Sequence, residues 1–222
     1  MERYIKRIYT WGIIVLVVMA FMLSVQHIYI YKIVTNNIKE MTDLSVQLLN
    51  KEIDNWLLQK AQVIRDSRNF ISMEEFNRKE IFKYFKSLMG ENTDFNTIYF
   101  GTPEDKMING DGWVPPESYD LRERPWYKKA VRKNELIFTE ALIDASTGNI
   151  IVTIASPVYS KKDGEFLGVV AGDVFIEEVV SFVQEHKFSN RGFTMLVDSK
   201  NNILAHSKEG FSQKENLTKV SE

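Results

Sequence analysis

Residues 119–127 read Tyr-Asp-Leu-Arg-Glu-Arg-Pro-Trp-Tyr, which places two guanidiniums, an indole and two phenols within nine residues. Proline is tolerated in the first turn of a helix, so Pro125 marks a loop entering a short helix, Arg124 to Lys133. A planar guanidinium beside an indole N–H suits a carboxylate. Downstream, Asp144 lies in Ile-Asp-Ala-Ser-Thr-Gly and Asp173 in Val-Ala-Gly-Asp-Val. Two acidic side chains suit an ammonium. Together these groups predict a pocket for a small zwitterion such as an amino acid.

Around this segment the apolar pattern alternates as in strands. Asn96 to Gly101 reads as a strand, with Lys106 to Asn109 as its hairpin partner, and Gly110 to Pro116 as a loop around Trp113. Ile137 to Ile143, Ile150 to Tyr159 and Phe166 to Val174 are further strands, the last two joined by a turn at Lys162-Asp163-Gly164. Glu177 to His186 reads as a helix. Phe193 to Asp198 and Asn202 to His206 form another hairpin that begins a new module, and order is expected to fade from Asn201 onward. Helices mixed with an antiparallel sheet define the fold class as α+β.

Upstream, the period is helical. Arg3, Lys6 and Arg7 precede an apolar run over residues 8–31, flanked by Tyr9 and Trp11 at one end and Tyr29 and Tyr31 at the other. About 20 apolar residues cross a hydrocarbon core, and interfacial aromatics mark its edges. No small-residue cleavage site follows, so the run reads as a retained transmembrane helix. The early cations place residues 1–7 in the cytoplasm and everything after Lys32 outside the cell membrane. Residues 33–72 contain neither proline nor glycine. Val34, Ile38, Met41, Leu44, Leu48, Ile53, Trp56, Leu57 and Ile64 recur there at helical spacing, as in a long amphipathic stalk helix. Its apolar stripe could face a globular domain, a second copy of the chain, or both. A further helix is expected from Met73 or Glu74 to Leu88, ended by Gly90.

Composition narrows the function classes. With 222 residues, a net charge of -2 and no basic stripe, the chain shows no nucleic-acid footprint. The absence of cysteine removes disulfides and thiolate metal sites. His27, His186 and His206 are scattered, and no nucleophile elbow, zinc-binding His pair or phosphate loop occurs. Asp105 and Asp163 lack metal-ligand spacing. The chain therefore reads as a non-enzyme with neither metal nor cofactor. Each site residue also has an ordinary reading. Arg124 could pair with Glu123, and Trp126 and Tyr127 could be packing residues. Tyr119 could cap the sheet, Asp144 could close a turn, and Asp173 could sit exposed at a strand end.

Order and spacing strengthen the functional reading. Tyr119, then Arg124-Pro125-Trp126-Tyr127, Asp144-Ala-Ser-Thr-Gly, Ser156-Pro-Val-Tyr and Gly168-Val-Val-Ala-Gly-Asp173 resemble the double-Cache sensor domain of bacterial chemoreceptors, sensor histidine kinases and diguanylate cyclases. The resemblance implies a PAS-like antiparallel sheet in a membrane-distal Cache module, residues 73–188, and an incomplete membrane-proximal module, residues 189–222. In the amino-acid-binding subset it assigns Tyr119, Arg124 and Trp126 to the ligand carboxylate and Tyr127, Asp144 and Asp173 to its ammonium. A further motif tyrosine is replaced here by Leu142. The implied function is the sensing part of a signal receptor, most simply a methyl-accepting chemotaxis protein, dimeric through its stalk. The alternatives are the sensor part of a histidine kinase or diguanylate cyclase, or a truncated membrane-anchored remnant without signalling output. A small carboxylate is the alternative ligand, with both aspartates structural.

Overall fold

In the computed structural model, residues 1–73, 77–90, 95–144, 147, 150–185, 192–197 and 203–207 are described. The chain divides into two units, Met1–Leu48 and Leu49–Glu222. The first consists of helix after Met1, part of α1 (Glu2–Met73), and its apolar residues from Ile8 through Tyr31 are exposed. α1 is long and apolar enough near the N-terminus to cross a membrane. Ile38, Met41, Leu44 and Leu48 are exposed as well.

The second unit is built on one antiparallel sheet. α2 (Arg78–Gly90) is followed by β1 (Thr97–Gly101) and β2 (Met107–Asn109), then by a single 3-10 turn at Leu121–Glu123. Next come α3 (Pro125–Lys133), β3 (Ile137–Phe138), β4 (Leu142–Ile143), β5 (Ile150–Tyr159), β6 (Phe166–Phe175), α4 (Ile176–Glu185), β7 (Met195–Val197) and β8 (Ile203–His206). The sheet runs β2-β1-β6-β5-β3, with β4 also pairing β5, while β7 and β8 pair separately.

Side chains alternate across the sheet, and both faces are covered. Ile98, Phe100, Ile108, Ile154, Val170 and Val174 face Ala61, Ile64 and Ile71 of α1 and Phe85 of α2. Tyr99, Met107, Ala155, Val169 and Ala171 face Leu121, Trp126 and Ala130 around α3. Double coverage explains why the central strands read as nearly continuous apolar runs. It also fixes Asp173 on the α3 side, two residues beyond Ala171. α1 and the sheet approach closely at Gly172, where a Cβ would stand 2.6 Å from Phe95 and 2.9 Å from Ile64.

Several expected boundaries move for local reasons. α2 starts at Arg78 because Asn77 caps it: its side-chain Oδ1 accepts the Lys79 N–H at 3.0 Å, and its carbonyl accepts the Glu80 N–H at 2.9 Å. The start expected at Met73 or Glu74 is thereby corrected: α1 runs through Met73, and residues 74–76 lie outside the described set. Ile137 to Ile143 is two short strands rather than one. The anchor and the stalk share one unbroken helix, α1. Ile203–His206 pairs with β7, so the expected loss of order from Asn201 is corrected over those four residues. His186, the turn at residues 198–202 and the tail from residue 208 lie outside the described residues.

Gly168 holds the bulge where the β5–β6 register shifts between Val158 and Tyr159. Its φ is 139°, and a Cβ there would lie 2.2 Å from the Gly101 carbonyl oxygen. Gly168→Ala should destabilise the domain by about 3 kcal/mol through strain and overpacking. A thermal melt should show a loss of at least ~6 °C.

Candidate functional site

The quoted segment splits its two arginines between two environments. Asp120 caps the 3-10 turn and grips Arg122 twice, with Nε–Oδ1 at 3.0 Å and Nη2–Oδ2 at 2.9 Å. Arg122 therefore points outward. Arg124 precedes a proline, which disfavours helical backbone at that residue. It adopts φ -72° and ψ 143° and becomes the N-cap of α3, making no side-chain capping bond. Its side chain is thus free to turn inward, where the guanidinium lies 4.9 Å from the Tyr119 ring centre. The Nε is buried and finds no hydrogen-bond partner among the described residues. Such a donor is costly to leave unmade and invites an acceptor. Glu123, the local partner expected for Arg124, instead pairs with Lys128.

Asp173 is 4% exposed, which corrects the reading of a solvent-facing strand end. Its neighbours across the ladder are Thr97 on β1 and Thr153 on β5. Oδ1 accepts the Thr153 hydroxyl at 2.6 Å and the Tyr99 hydroxyl at 3.0 Å. Thr139 steadies Thr153 by accepting its N–H at 3.0 Å. Burial pushes the Asp173 carboxyl up from 3.8 to about 7, and the nearby Asp144 adds to the rise. The Thr153 and Tyr99 hydrogen bonds and the Arg124 charge oppose it. Tyr99 in turn is pushed well above its usual range by burial and by Asp173.

Asp144 follows β4 and is also buried. Its Oδ2 accepts the Thr147 N–H at 2.9 Å and the Thr147 hydroxyl at 2.6 Å, so it does close a turn. The same carboxylate lines the cavity, and the two readings of this residue are compatible. Tyr119, Arg124, Trp126, Asp144 and Asp173 all line one cavity of about 30 Å³. The ring of Trp126 meets Tyr99 edge-on at 5.1 Å, and Trp113 meets Tyr119 edge-on at 5.5 Å.

Tyr127 does not line that cavity. Its ring packs between Trp126 at 5.5 Å and Phe166 at 6.5 Å, and its phenol faces the charges of Glu104, Arg122 and Asp105. The reason is helical geometry: the residue after Trp126 points about 100° away around α3. Leu142 pairs with Ile151 through its backbone, and its side chain lies outside the described set. Pro125 also lines it, and Thr97, Tyr99, Met107, Asn109, Trp113, Ile151 and Thr153, which complete the lining, went unread in the sequence as site residues. Alternation from Asp173 and its paired strands would have pointed to Thr97, Tyr99 and Thr153.

A sheet covered by helices on both faces thus holds an arginine and two carboxylates around one small cavity. Residues 30–222 match the Cache domain family, and the chain belongs to it. Relatives include the methyl-accepting chemotaxis proteins PscA of Pseudomonas syringae, 28% identical over 72% of this chain, and McpB of Bacillus subtilis, 27% identical over 77%. The chain spans about a quarter of their length, 25% and 26% respectively. Among solved structures, the ligand-binding domain of the Pseudomonas aeruginosa amino acid chemoreceptor PctC in complex with GABA is 25% identical. It superposes with a TM-score of 0.67 over 78% of each chain. The ligand-binding domain of Mlp24 with asparagine, at 23% identity and a TM-score of 0.68 over 83% of this chain and 78% of that one, shares the fold.

Because Asp173 holds a proton in the folded state that the unfolded chain has already released, it lowers stability as pH rises from 3.8 to about 7. Asp173→Asn should remove that component. Thermal melts from pH 4 to 8 should show a shallower decline for the variant, by up to about 4 kcal/mol.

Proposed function

We propose that this chain is the extracytoplasmic sensing part of a bacterial chemoreceptor and that its ligand is a small amino acid or related zwitterion. One observation carries the reading: Arg124, whose buried Nε has no partner among the described residues, shares a cavity with Asp144 and Asp173. A zwitterion bears opposite charges a few ångströms apart, and this cavity offers both complements. The ligand carboxylate takes Arg124, Tyr119 and Trp126, and the ammonium takes Asp173 and Asp144. Tyr127 supports Trp126 from behind instead of touching the ammonium. Charge-assisted bonds of roughly 1.5–3 kcal/mol net each support micromolar affinity, about -8 kcal/mol after ordering costs. The amino acid chemoreceptor domains that share the fold favour this ligand class, and the chemotaxis relatives favour that output.

In this reading residues 8–31 anchor the chain in the cell membrane, with residues 1–7 cytoplasmic and the rest outside. The exposed Ile38, Met41, Leu44 and Leu48 form the contact with a second copy. A ligand acts by favouring one of two arrangements of that pair. Cysteines placed at Met41 or Leu48 should crosslink in membranes, and monomeric product at every position along the stripe would refute the dimer.

Calorimetry of the folded protein against the common amino acids tests the ligand class, and absence of heat with all of them would refute it. Arg124→Ala should abolish binding. Asp173→Ala should abolish binding of a zwitterion through loss of its ammonium partner. A small carboxylate is the second reading, favoured by the raised Asp173 carboxyl, which is neutral below about 7 and then repels no anion. That ligand would survive Asp173→Ala. The pH dependence separates the two further. Zwitterion affinity should rise as pH climbs through about 7 and the carboxyl ionises, whereas carboxylate affinity should fall.

A further inference from the structure

We propose that Trp113 sets the size of the ligand, restricting the site to amino acids with the smallest side chains, and that the space it closes off is suited to an acidic one. The inference rests on the amino-acid reading above and specifies which amino acids that site takes.

With its carboxylate on Arg124 and its ammonium on Asp173, an amino acid has one remaining direction for its side chain, and the walls of the cavity decide what fits there. The cavity measures about 30 Å³ and is tight beside the cleft that adjoins it. Met107, Asn109 and Trp113 form one wall. The same three residues line a second cleft of about 620 Å³ on their other side, over the free edge of β2. A tight cavity and a cleft twenty-fold larger thus share one partition.

Within that partition Met107 and Asn109 belong to a strand and cannot swing away without breaking the sheet. Trp113 belongs to a loop whose backbone is pinned by hydrogen bonds, and its ring rests on one aromatic neighbour. Asp111 Oδ1 accepts the Trp113 N–H at 2.6 Å, and Gly112 takes φ 82°, a left-handed conformation suited to glycine. The Gly112 N–H donates to the Asn109 carbonyl at 3.1 Å, and the indole rests edge-on against Tyr119. The ring is therefore a built divider.

The cleft behind it is cationic. Arg78, Lys79 and Lys106 line it against a single acid, Asp105. That acid is already engaged, accepting the Leu121 N–H at 3.0 Å with Arg122 at 4.0 Å. The β2 edge contributes as well. Thr102 and Gly110 donate to Lys106 and Ile98 at 2.9 Å each, which makes Phe100 and Ile108 the mutually bonded pair between them. Hence the N–H groups of Met107 and Asn109 point out of the sheet toward the cleft. Arg78 already donates to the Met107 carbonyl at 2.8 Å, so Lys79, Lys106 and the two outward amide donors are the groups that suit a carboxylate.

The test uses the whole chain in lipid nanodiscs, with calorimetry against glycine, L-alanine, L-serine, L-leucine and L-glutamate. The native protein should bind glycine, alanine or serine at least tenfold more tightly than leucine or glutamate. Trp113→Ala should gain at least tenfold for glutamate and less for leucine, and adding Lys79→Glu should reverse the glutamate gain. Trp113→Phe, which retains a ring, should keep the native ranking and serves as the folding control. Native protein that binds leucine or glutamate as tightly as alanine would overturn the proposal, and so would an unchanged ranking in a Trp113→Ala variant whose circular dichroism is native. Folded native protein that binds none of the five would refute the amino-acid reading itself, and the size rule with it, a result distinct from binding of the wrong sizes.

Discussion

The sensing domain is organised around one buried carboxyl. Asp173 occupies the middle of a six-stranded sheet, flanked by a threonine on each neighbouring strand, and its surroundings are what make it tolerable there. A carboxylate without partners in such a place would cost several kcal/mol. Two hydroxyls on Oδ1 offset part of that cost, and partial protonation offsets more. The β5–β6 register and the placement of Tyr99 can be understood as the conditions for keeping this group inside. Arg124 reaches the same cavity by a different route, a proline-enforced extended residue at a helix start.

Burial on both faces of the sheet links these two routes. α1 and α2 seal one side and α3 seals the other, and the strip between α3 and the β1–β6–β5 strands holds the buried carboxyl and guanidinium groups. Charged groups placed there interact in a medium of low polarity, where a single opposite charge on a ligand counts for more than at the surface. The lysine and glutamate pairs on the outside of α3, exposed to water, contribute little by comparison.

Much of this was legible in the sequence because the signals were local. Arg124-Pro125 dictates an extended residue followed by a helix, Lys162-Asp163-Gly164 dictates a turn, and the two long apolar runs β5 and β6 are ten residues each in the structure. What sequence reading missed depended on pairing. Thr97, Tyr99, Thr153 and Asn109 look like ordinary strand residues until the register places them beside Asp173 and the cavity. Tyr127 and Trp126 are neighbours on α3, and adjacent helical residues diverge, so Trp126 lines the cavity and Tyr127 does not. The outward turn of Arg122 depends on Asp120, two residues away, a contact that the sequence reading did not consider.

The free edge of the sheet carries a last consequence. A terminal strand with unpaired amides is a template for another chain, and long flat ones drive aggregation. β2 is three residues long, its Met107 carbonyl accepts a bond from Arg78 Nη2 at 2.8 Å, and a lysine stands directly before it. Brevity, a guanidinium clamp and like-charge repulsion together discourage strand addition by neighbouring molecules. Crowded copies of the chain can thus lie side by side without their β2 edges joining.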